Sequence, residues 1–336
     1  MTPPSHAFLE ELDRIADPLD LVERTMHEQL ASRSDVIAAV GDHVLRAGGK
    51  RVRPALLLLA AELCGYDGPR RVQVAAAVEL LHTATLLHDD VVDGSELRRG
   101  QPSARALWGN RRAVLAGDFF YARASSMIVE DGNLDILWIF SNTIRLMAEG
   151  EILQLQKSFD VDITEAHYYE VIERKSAALL SAACEAGAIL AGVTRAEQRQ
   201  LSSFGRELGL AFQVRDDALD YEAEVDVLGK PPYADLREGK VTLPLLLTLK
   251  RSNSTEREAI TGVLKSASRV GEGEHLDEEA LAPVLELVER HRGVADSIRR
   301  AEEHAARAAT AIASHADGSA KRALVAAAAF SAGRDR

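Results

Sequence analysis

Cysteine is scarce. The 336-residue chain has two, Cys64 and Cys184, and no C-x-x-C spacing, which removes zinc and dithiol redox chemistry from consideration and leaves both as small core residues. Aromatic side chains are also few, at 5% against 46% hydrophobic residues overall. Ala, Leu and Val therefore do most of the packing, as suits closely spaced helices. Positive charge is in deficit: 40 Lys and Arg stand against 52 Asp and Glu, a formal charge of −12. A general nucleic-acid binder needs a broad basic face to displace counterions, so that class is excluded and the basic residues must act locally.

Long hydrophobic runs are absent as well. "PALLLLAAELCG" and "LPLLLTL" are too short or too interrupted to span a bilayer, so a membrane matters here as a product's destination, with peripheral contact at most. "MTPPSHAFLEELDRIADPLD" has no basic n-region followed by an apolar stretch, so no signal peptide is expected and a cytoplasmic location is. Strand signals are nearly missing. Apolar residues recurring at three and four positions predict helices over roughly 18–31, 34–47, 53–64, 69–92, 103–108, 112–130, 133–157, 164–191, 194–222, 240–250, 254–268, 276–291 and 293–315, with a last one from about 318. Asp17 before Pro18, Pro54 after Arg53, and Thr164 with Glu165 act as start signals. "CGYDGP", "GKPPYADLREGK" and "RVGEGEH" read as loops. No long linker divides the chain, so residues 1–336 read as one all-helical domain. "AEEHAARAATAIA" reads as an ordinary solvated amphipathic helix.

Against this background one segment stands out. "LLHDDVVDGSELRRG", residues 86–100, sets acids beside arginines at the end of the apolar run "VAAAVELLHTATLLHDDVV". Positions i and i+4 share a helix face, so Asp89 and Asp93 point the same way with Asp90 beside them. Their like charges repel, and at the end of a buried helix they require protons or cations. The arrangement recurs in "FQVRDDALDY", with Asp216 and Asp220 one turn apart and Asp217 adjoining. An exposed acidic helix end accounts for one such cluster, but poorly for two inside apolar helices. Paired carboxylates also serve as acid and base in glycoside hydrolysis. Three aspartates per cluster look more like ligands, and hard oxygen donors on a helix suit Mg²⁺, which takes one or two carboxylates alongside substrate phosphates.

The basic counterpart is "RAGGKRVRP", with Lys50, Arg51 and Arg53 after two glycines. It is not a nucleotide-binding P-loop: position 44 is Val44 where a glycine is required, and Arg51 follows Lys50 where Ser or Thr is required. What remains is a backbone that approaches an anion closely, flanked by fixed charge. His82 lies seven residues before Asp89, nearly on the same face, and Arg98 and Arg99 follow the first cluster. Lys175, Gln213, Lys230 and Lys240 are further donors. Carboxylates that need metal and cations that do not together suit two phosphorylated substrates, one gripped through Mg²⁺ and one directly.

These residues are where a resemblance enters. The series "GGKRVRP", "HTATLLHDDVVDGSELRRG", "GDFFYARA", "AEGEILQL", "ERKSAALL", "FQVRDDALDY", "LGK" and "DLREGKVTLPLL" resembles the trans-isoprenyl diphosphate synthases of the polyprenyl synthetase family, in the family's order and over nearly the whole chain. The resemblance implies an all-α isoprenoid synthase fold, with antiparallel helices around a deep central cavity and the aspartate-rich DDxxD motifs on facing helices. It implies a prenyltransferase, with a homodimer as the expected assembly. In the implied reaction an allylic diphosphate bound through Mg²⁺ ionises, isopentenyl diphosphate attacks the allylic cation, and a proton is lost. By matching motif, Lys50, Arg53, His82 and Arg99 would hold isopentenyl diphosphate, with Arg51 nearby. Asp89 and Asp93 would be Mg²⁺ ligands supported by Asp90, and Asp216 would bind another Mg²⁺ with Asp217 and Asp220 nearby. Arg98, Lys175, Ser176, Gln213, Lys230 and Lys240 would contact the allylic diphosphate. Pro232-Tyr233-Ala234 stands where relatives usually carry a glycine, and the terminal "GRDR" resembles the family's basic end.

Product length follows from the residues before Asp89. Thr85 and Ala84 lie four and five positions back, roughly 6–8 Å along the helix. Aromatic side chains there would plug the cavity, as in short-chain members, whereas small ones leave it open. Ala122, Ser125 and Ser126 are small too, with Tyr121 and Met127 available as a floor. The expectation is a long-chain polyprenyl diphosphate, a precursor for a respiratory quinone side chain, grown on farnesyl diphosphate. The alternatives are a short-chain farnesyl or geranylgeranyl diphosphate synthase and a non-catalytic regulatory subunit of a heteromeric synthase. A terpene cyclase normally mixes Asn, Ser and Glu in its second metal motif, which this chain does not.

Overall fold

The computed structural model describes residues 4–46, 48–222, 233–269, 276 and 278–333. It is built from helices, as the scarcity of strand signals required. The first five are α1 (Pro4–Arg14), α2 (Ala16–Gln29), α3 (Asp35–Arg46), α4 (Val52–Leu63) and α5 (Arg70–Val92). A two-stranded hairpin, β1 (Leu97–Arg98) and β2 (Gln101–Pro102), precedes α6 (Ala104–Trp108), α7 (Asn110–Asp131) and α8 (Leu134–Gln156). Next come α9 (Glu165–Ile172), a π-helical turn (Glu173–Ala177), α10 (Ala178–Leu190) and α11 (Arg195–Glu222). The remainder is α12 (Ala234–Arg237), α13 (Leu243–Arg251), α14 (Ser254–Ala267), α15 (Glu278–Arg290), α16 (Gly293–Ala311) and α17 (Ser319–Gly333).

The long helices α5, α7, α8, α10 and α11 frame the centre, with α5 packed along α7, α10 lying between α4 and α11, and α16 covering α11. Their starts have local causes. The Asn133 side chain accepts from the backbone N–H groups of Asp135 and Ile136 at the head of α8, and Thr164 accepts from His167 at the head of α9. The α5 helix is buried along most of its length, from Val74 to Leu87, and carries the first acidic cluster out of the core at its C-terminal end.

Three features differ from the sequence expectation. The chain is helical before residue 18, because Phe8 and Ile15 are buried against α17 and Phe8 stacks on Phe330 at 5.3 Å, a pairing worth about 0.5–1.5 kcal/mol beyond burial. Pro18 falls in the first turn of α2, where its missing N–H costs nothing. The predicted single helix over 164–191 is instead interrupted by the π-helical turn at Glu173–Ala177, a local widening often found at functional sites. There α8 comes so close that a Cβ on Gly150 would meet the backbone N of Lys175 at 2.9 Å. The third feature is the hairpin, whose two-residue turn is Arg99-Gly100, both at positive φ (52° and 74°). This is the geometry of a two-residue hairpin turn, and it is costly for an arginine.

Candidate active site

A cavity of about 780 Å³ opens between α5, α7, α8, α10 and α11. Arg53, His82, Ala84, Thr85, Asp89, Arg98, Arg99, Lys175, Ser176, Gln213 and Asp216 all line it. Residues separated by more than a hundred positions thus share one space. Lys50, Asp90, Asp93, Asp217, Asp220 and Lys240 do not line this cavity and stand behind or beside it. Lys230, Pro232 and residues 334–336 fall outside the described residues.

The first cluster divides its work. Asp89 faces the cavity, and burial pushes its carboxyl up to about 6, with Lys175 opposing and Glu151 and Asp93 reinforcing the rise. Asp90 is 2% exposed and turns to the hairpin, accepting a 2.7 Å bond from Arg98 Nε. Asp93 caps α5 through its backbone N–H to Asp89, and its carboxylate lies 3.6 Å from Lys240 Nζ.

The second cluster splits likewise. Asp216 lines the main cavity, while Asp217 accepts from Gln213 Nε2 at 2.8 Å and from Tyr168 Oη at 2.6 Å. Asp220 accepts from the backbone N–H groups of Ala234 and Asp235 at 3.0 and 3.1 Å, fixing the start of α12. Burial raises both Asp217 and Asp220 above the ordinary carboxylate range, and neighbouring Asp235 adds to it. Lys240 is held well above the usual lysine range: burial opposes its charge, but Glu238 at 2.6 Å, Asp93 and Asp235 outweigh that.

On the basic side, Arg51 adopts a left-handed conformation (φ 46°) that turns its side chain inward. It donates to Glu23 at 2.9 Å, Glu79 at 3.1 Å and the Leu45 carbonyl at 3.1 Å, which ties α2, α3 and α5 to the glycine loop. Arg53 remains on the cavity wall, and its Nε has no hydrogen-bond partner among the described residues. Arg99 passes over Gly49, where a Cβ would meet its guanidinium at 2.7 Å, so a larger residue there would push the arginine aside. Burial, then Arg53 and Arg99, push His82 well below its ordinary value, so its imidazole is neutral. Lys50 Nζ sits 4.6 Å above the Phe330 ring.

Four contributors escaped the sequence reading. Glu79 is 4% exposed and supplies the negative charge beneath Arg51, Arg53 and Arg99; an acid within "AAAVELLH", three residues before His82, was its only signal. Glu151 pairs with Lys175 at 2.6 Å on the cavity wall. His88 lies 3.3 Å from Asp118, both at the cavity edge. Tyr168 reaches Asp217 from another helix, which no local pattern could reveal.

Below Asp89 the wall becomes apolar. Ala84 and Thr85 are followed by Tyr121, Ile144, Met147, Leu179 and Phe212 from four other helices. Met127 is instead buried in the core, and Ala122 and Ser126 are exposed on the outer side of α7.

The donor set fits a hard divalent cation. Buried carboxylates raised above their ordinary range, beside cations that neutralise only part of their charge, favour such an ion. No three acidic, histidine or cysteine side chains among the described residues form a complete cage.

Comparison with known proteins bears on this geometry. Residues 34–279 match the family model described as polyprenyl synthetase. The octaprenyl diphosphate synthase of Escherichia coli (strain K12) is 42% identical over 329 residues, covering 98% of this chain and 99% of the relative. A crystal structure of polyprenyl synthase from Caulobacter crescentus CB15, complexed with calcium and isoprenyl diphosphate, superposes with a TM-score of 0.91 at 40% identity, covering 97% of this chain and 98% of that one. That of a decaprenyl diphosphate synthase from Rhodobacter capsulatus gives 0.90 at 36% identity, covering 98% and 99%.

Proposed function

The chain belongs to the polyprenyl synthetase family, is a prenyltransferase with the all-α isoprenoid synthase fold, and, we propose, extends farnesyl diphosphate with isopentenyl diphosphate to a long all-trans polyprenyl diphosphate. The observation that carries this reading is the single cavity that is ionic where Asp89, Asp216, Lys175 and Arg53 meet and apolar beyond Ala84 and Thr85. A diphosphate head and a growing hydrocarbon tail need that division.

Arg53, His82 and Arg99, with Lys50 behind them, take the isopentenyl diphosphate. The guanidiniums and ammonium are fixed charges, and the neutral imidazole donates one hydrogen bond. Lys175, Ser176, Gln213, Lys230 and Lys240 take the allylic diphosphate, with Arg98 held toward it by Asp90. Asp89, Asp93 and Asp216 would hold Mg²⁺, and Asp217 and Asp220 would brace the second cluster. Bound Mg²⁺ supplies Lewis-acid stabilisation of charge on the departing diphosphate. Arg98 and Lys175 add positive charge at the same leaving group. Leu179, Phe212 and Met147 keep water from the allylic carbon while the isopentenyl double bond attacks it. Loss of a proton then completes the new allylic product.

Two copies of the chain are expected to pair through α7 and α8. Leu115, Val129, Leu134 and Trp138 are 65%, 60%, 78% and 71% exposed there, an apolar surface of the kind that marks an interface. No helix among the described residues is long and apolar enough to cross a membrane; our reading puts the reaction in the cytoplasm, with the product passing to a membrane for use in a quinone side chain. The test is incubation of the purified protein with labelled isopentenyl diphosphate, farnesyl diphosphate and Mg²⁺, followed by chain-length analysis. Products beyond twenty carbons support the reading. A product that stops at fifteen or twenty carbons identifies a short-chain synthase, and no turnover by the isolated chain favours a regulatory subunit.

A further inference from the structure

Three hydrogen bonds join four side chains along the wall between the main cavity and a smaller one of about 120 Å³. Tyr168 Oη donates to Asp217 Oδ2 at 2.6 Å. Gln213 Nε2 donates to Asp217 Oδ1 at 2.8 Å, and Ser176 Oγ donates to Gln213 Oε1 at 2.7 Å. Ser176 and Gln213 line both cavities, whereas Tyr168 and Asp217 reach only the smaller one.

The order of donors follows from chemistry. The phenol and the amide N–H both donate to Asp217, which accepts through both oxygens. With its nitrogen committed to Asp217, the Gln213 amide must present its oxygen to Ser176. Reversing the amide would set two acceptors face to face at Asp217. The Ser176 hydroxyl is thereby committed to Gln213, which ties the turn that carries it to α11. Everything in this chain depends on Asp217 staying in one rotamer, and Tyr168 is the group that holds its second oxygen.

We propose that Tyr168 is a positioning residue of the allylic diphosphate subsite: through Asp217 and Gln213 its phenol holds the turn that bears Lys175 and Ser176 in register with α11. Tyr168 is 4% exposed and lies on α9, directly before the π-helical turn that carries Lys175 and Ser176. It therefore links that turn to α11 by a bond independent of helix packing. The inference rests on the assignment of Lys175, Ser176 and Gln213 to the allylic diphosphate.

Tyr168→Phe removes one oxygen and keeps the ring that packs in the core. A hydrogen bond to a charged group is worth about a ten- to hundredfold change in an equilibrium. The variant should raise KM for farnesyl diphosphate by about tenfold or more and leave KM for isopentenyl diphosphate within about twofold. Titration calorimetry of inorganic diphosphate in Mg²⁺ should show the same weakening without turnover. In a Gln213→Ala background, where the chain to Ser176 is already cut, Tyr168→Phe should add less than it does alone. Equal changes in both KM values, or a fall in thermal stability with neither KM altered, would overturn the proposal, because a purely structural tyrosine acts on both subsites or on none. If the unsubstituted protein fails to condense the two diphosphates, the functional assignment itself falls, whatever Tyr168 does.

Discussion

Lys240 Nζ lies 3.6 Å from Asp93 Oδ1 and 2.6 Å from Glu238 Oε2, so the segment ahead of α13 is fastened to the end of α5 by charge. This ammonium joins Arg98 and Lys175 in placing positive charge at the first acidic cluster. Replacing it with methionine leaves Asp93, Glu238 and Asp235 less compensated and should lower stability by about 1–3 kcal/mol. Mg²⁺ with inorganic diphosphate should restore part of the loss by supplying charge at the same place. Scanning calorimetry in EDTA and in Mg²⁺ checks this, and an identical gap between variant and parent in both media would refute it.

Ala84 is 3% exposed and on the cavity wall. A phenylalanine there projects into the path of the tail. Ala84→Phe should shift the product to shorter chains while ionisation and condensation continue, at a packing cost of about 1–3 kcal/mol. Thin-layer chromatography of the dephosphorylated products reads the outcome, and an unchanged length would place the tail elsewhere.

Asp90 acts through Arg98. Its buried carboxylate accepts from Arg98 Nε at 2.7 Å, and a charge-assisted bond of this kind contributes about 1.5–3 kcal/mol. Asp90→Ala should therefore reduce kcat by roughly ten- to a hundredfold, and Asp90→Asn, which keeps an acceptor, by less. Steady-state kinetics with circular dichroism as a control for folding distinguishes the two. Full activity in the alanine variant would show that Arg98 needs no such support.

Away from the site, Glu207 receives His304 Nδ1 at 2.7 Å and Arg307 Nε at 2.9 Å. Burial alone would raise its carboxyl, but these hydrogen bonds and charges bring it from 4.5 down to about 2. A carboxylate lowered on folding stabilises the native state above its unfolded value and loses that contribution as acid approaches its folded one. The stability gap between parent and Glu207→Gln should be constant above pH 4.5 and shrink steadily toward pH 2. Urea denaturation across that range measures it; a gap that widens in acid would reverse the sign.

Much of the site could be read in one dimension because helices convert spacing into direction. Asp89 shares a face with Thr85 and with His82 at two turns, and all three line the cavity. Fully extended across partners, however, the same logic fails. Asp93 and Asp89 share that face too, yet Asp93 ends the helix and its carboxylate meets Lys240. The N-terminal helix leaves little local signal because Phe8 and Ile15 find their burial against α4 and α17, the latter far along the chain. Arg99 at positive φ was hidden because its strain is sustained by packing over Gly49 and by charge with Glu79.

The sequence by itself determined the helical class, the two acidic clusters, the basic loop and the small residues below Asp89, since each depends on periodicity, composition or spacing within one element. Tertiary structure decided which acid faces the cavity and which braces a neighbour, where Glu79 balances the arginines, and how Tyr168 meets Asp217. Those outcomes depend on the relative placement of helices, which is set by burial across the whole molecule and leaves no trace in any single stretch of chain.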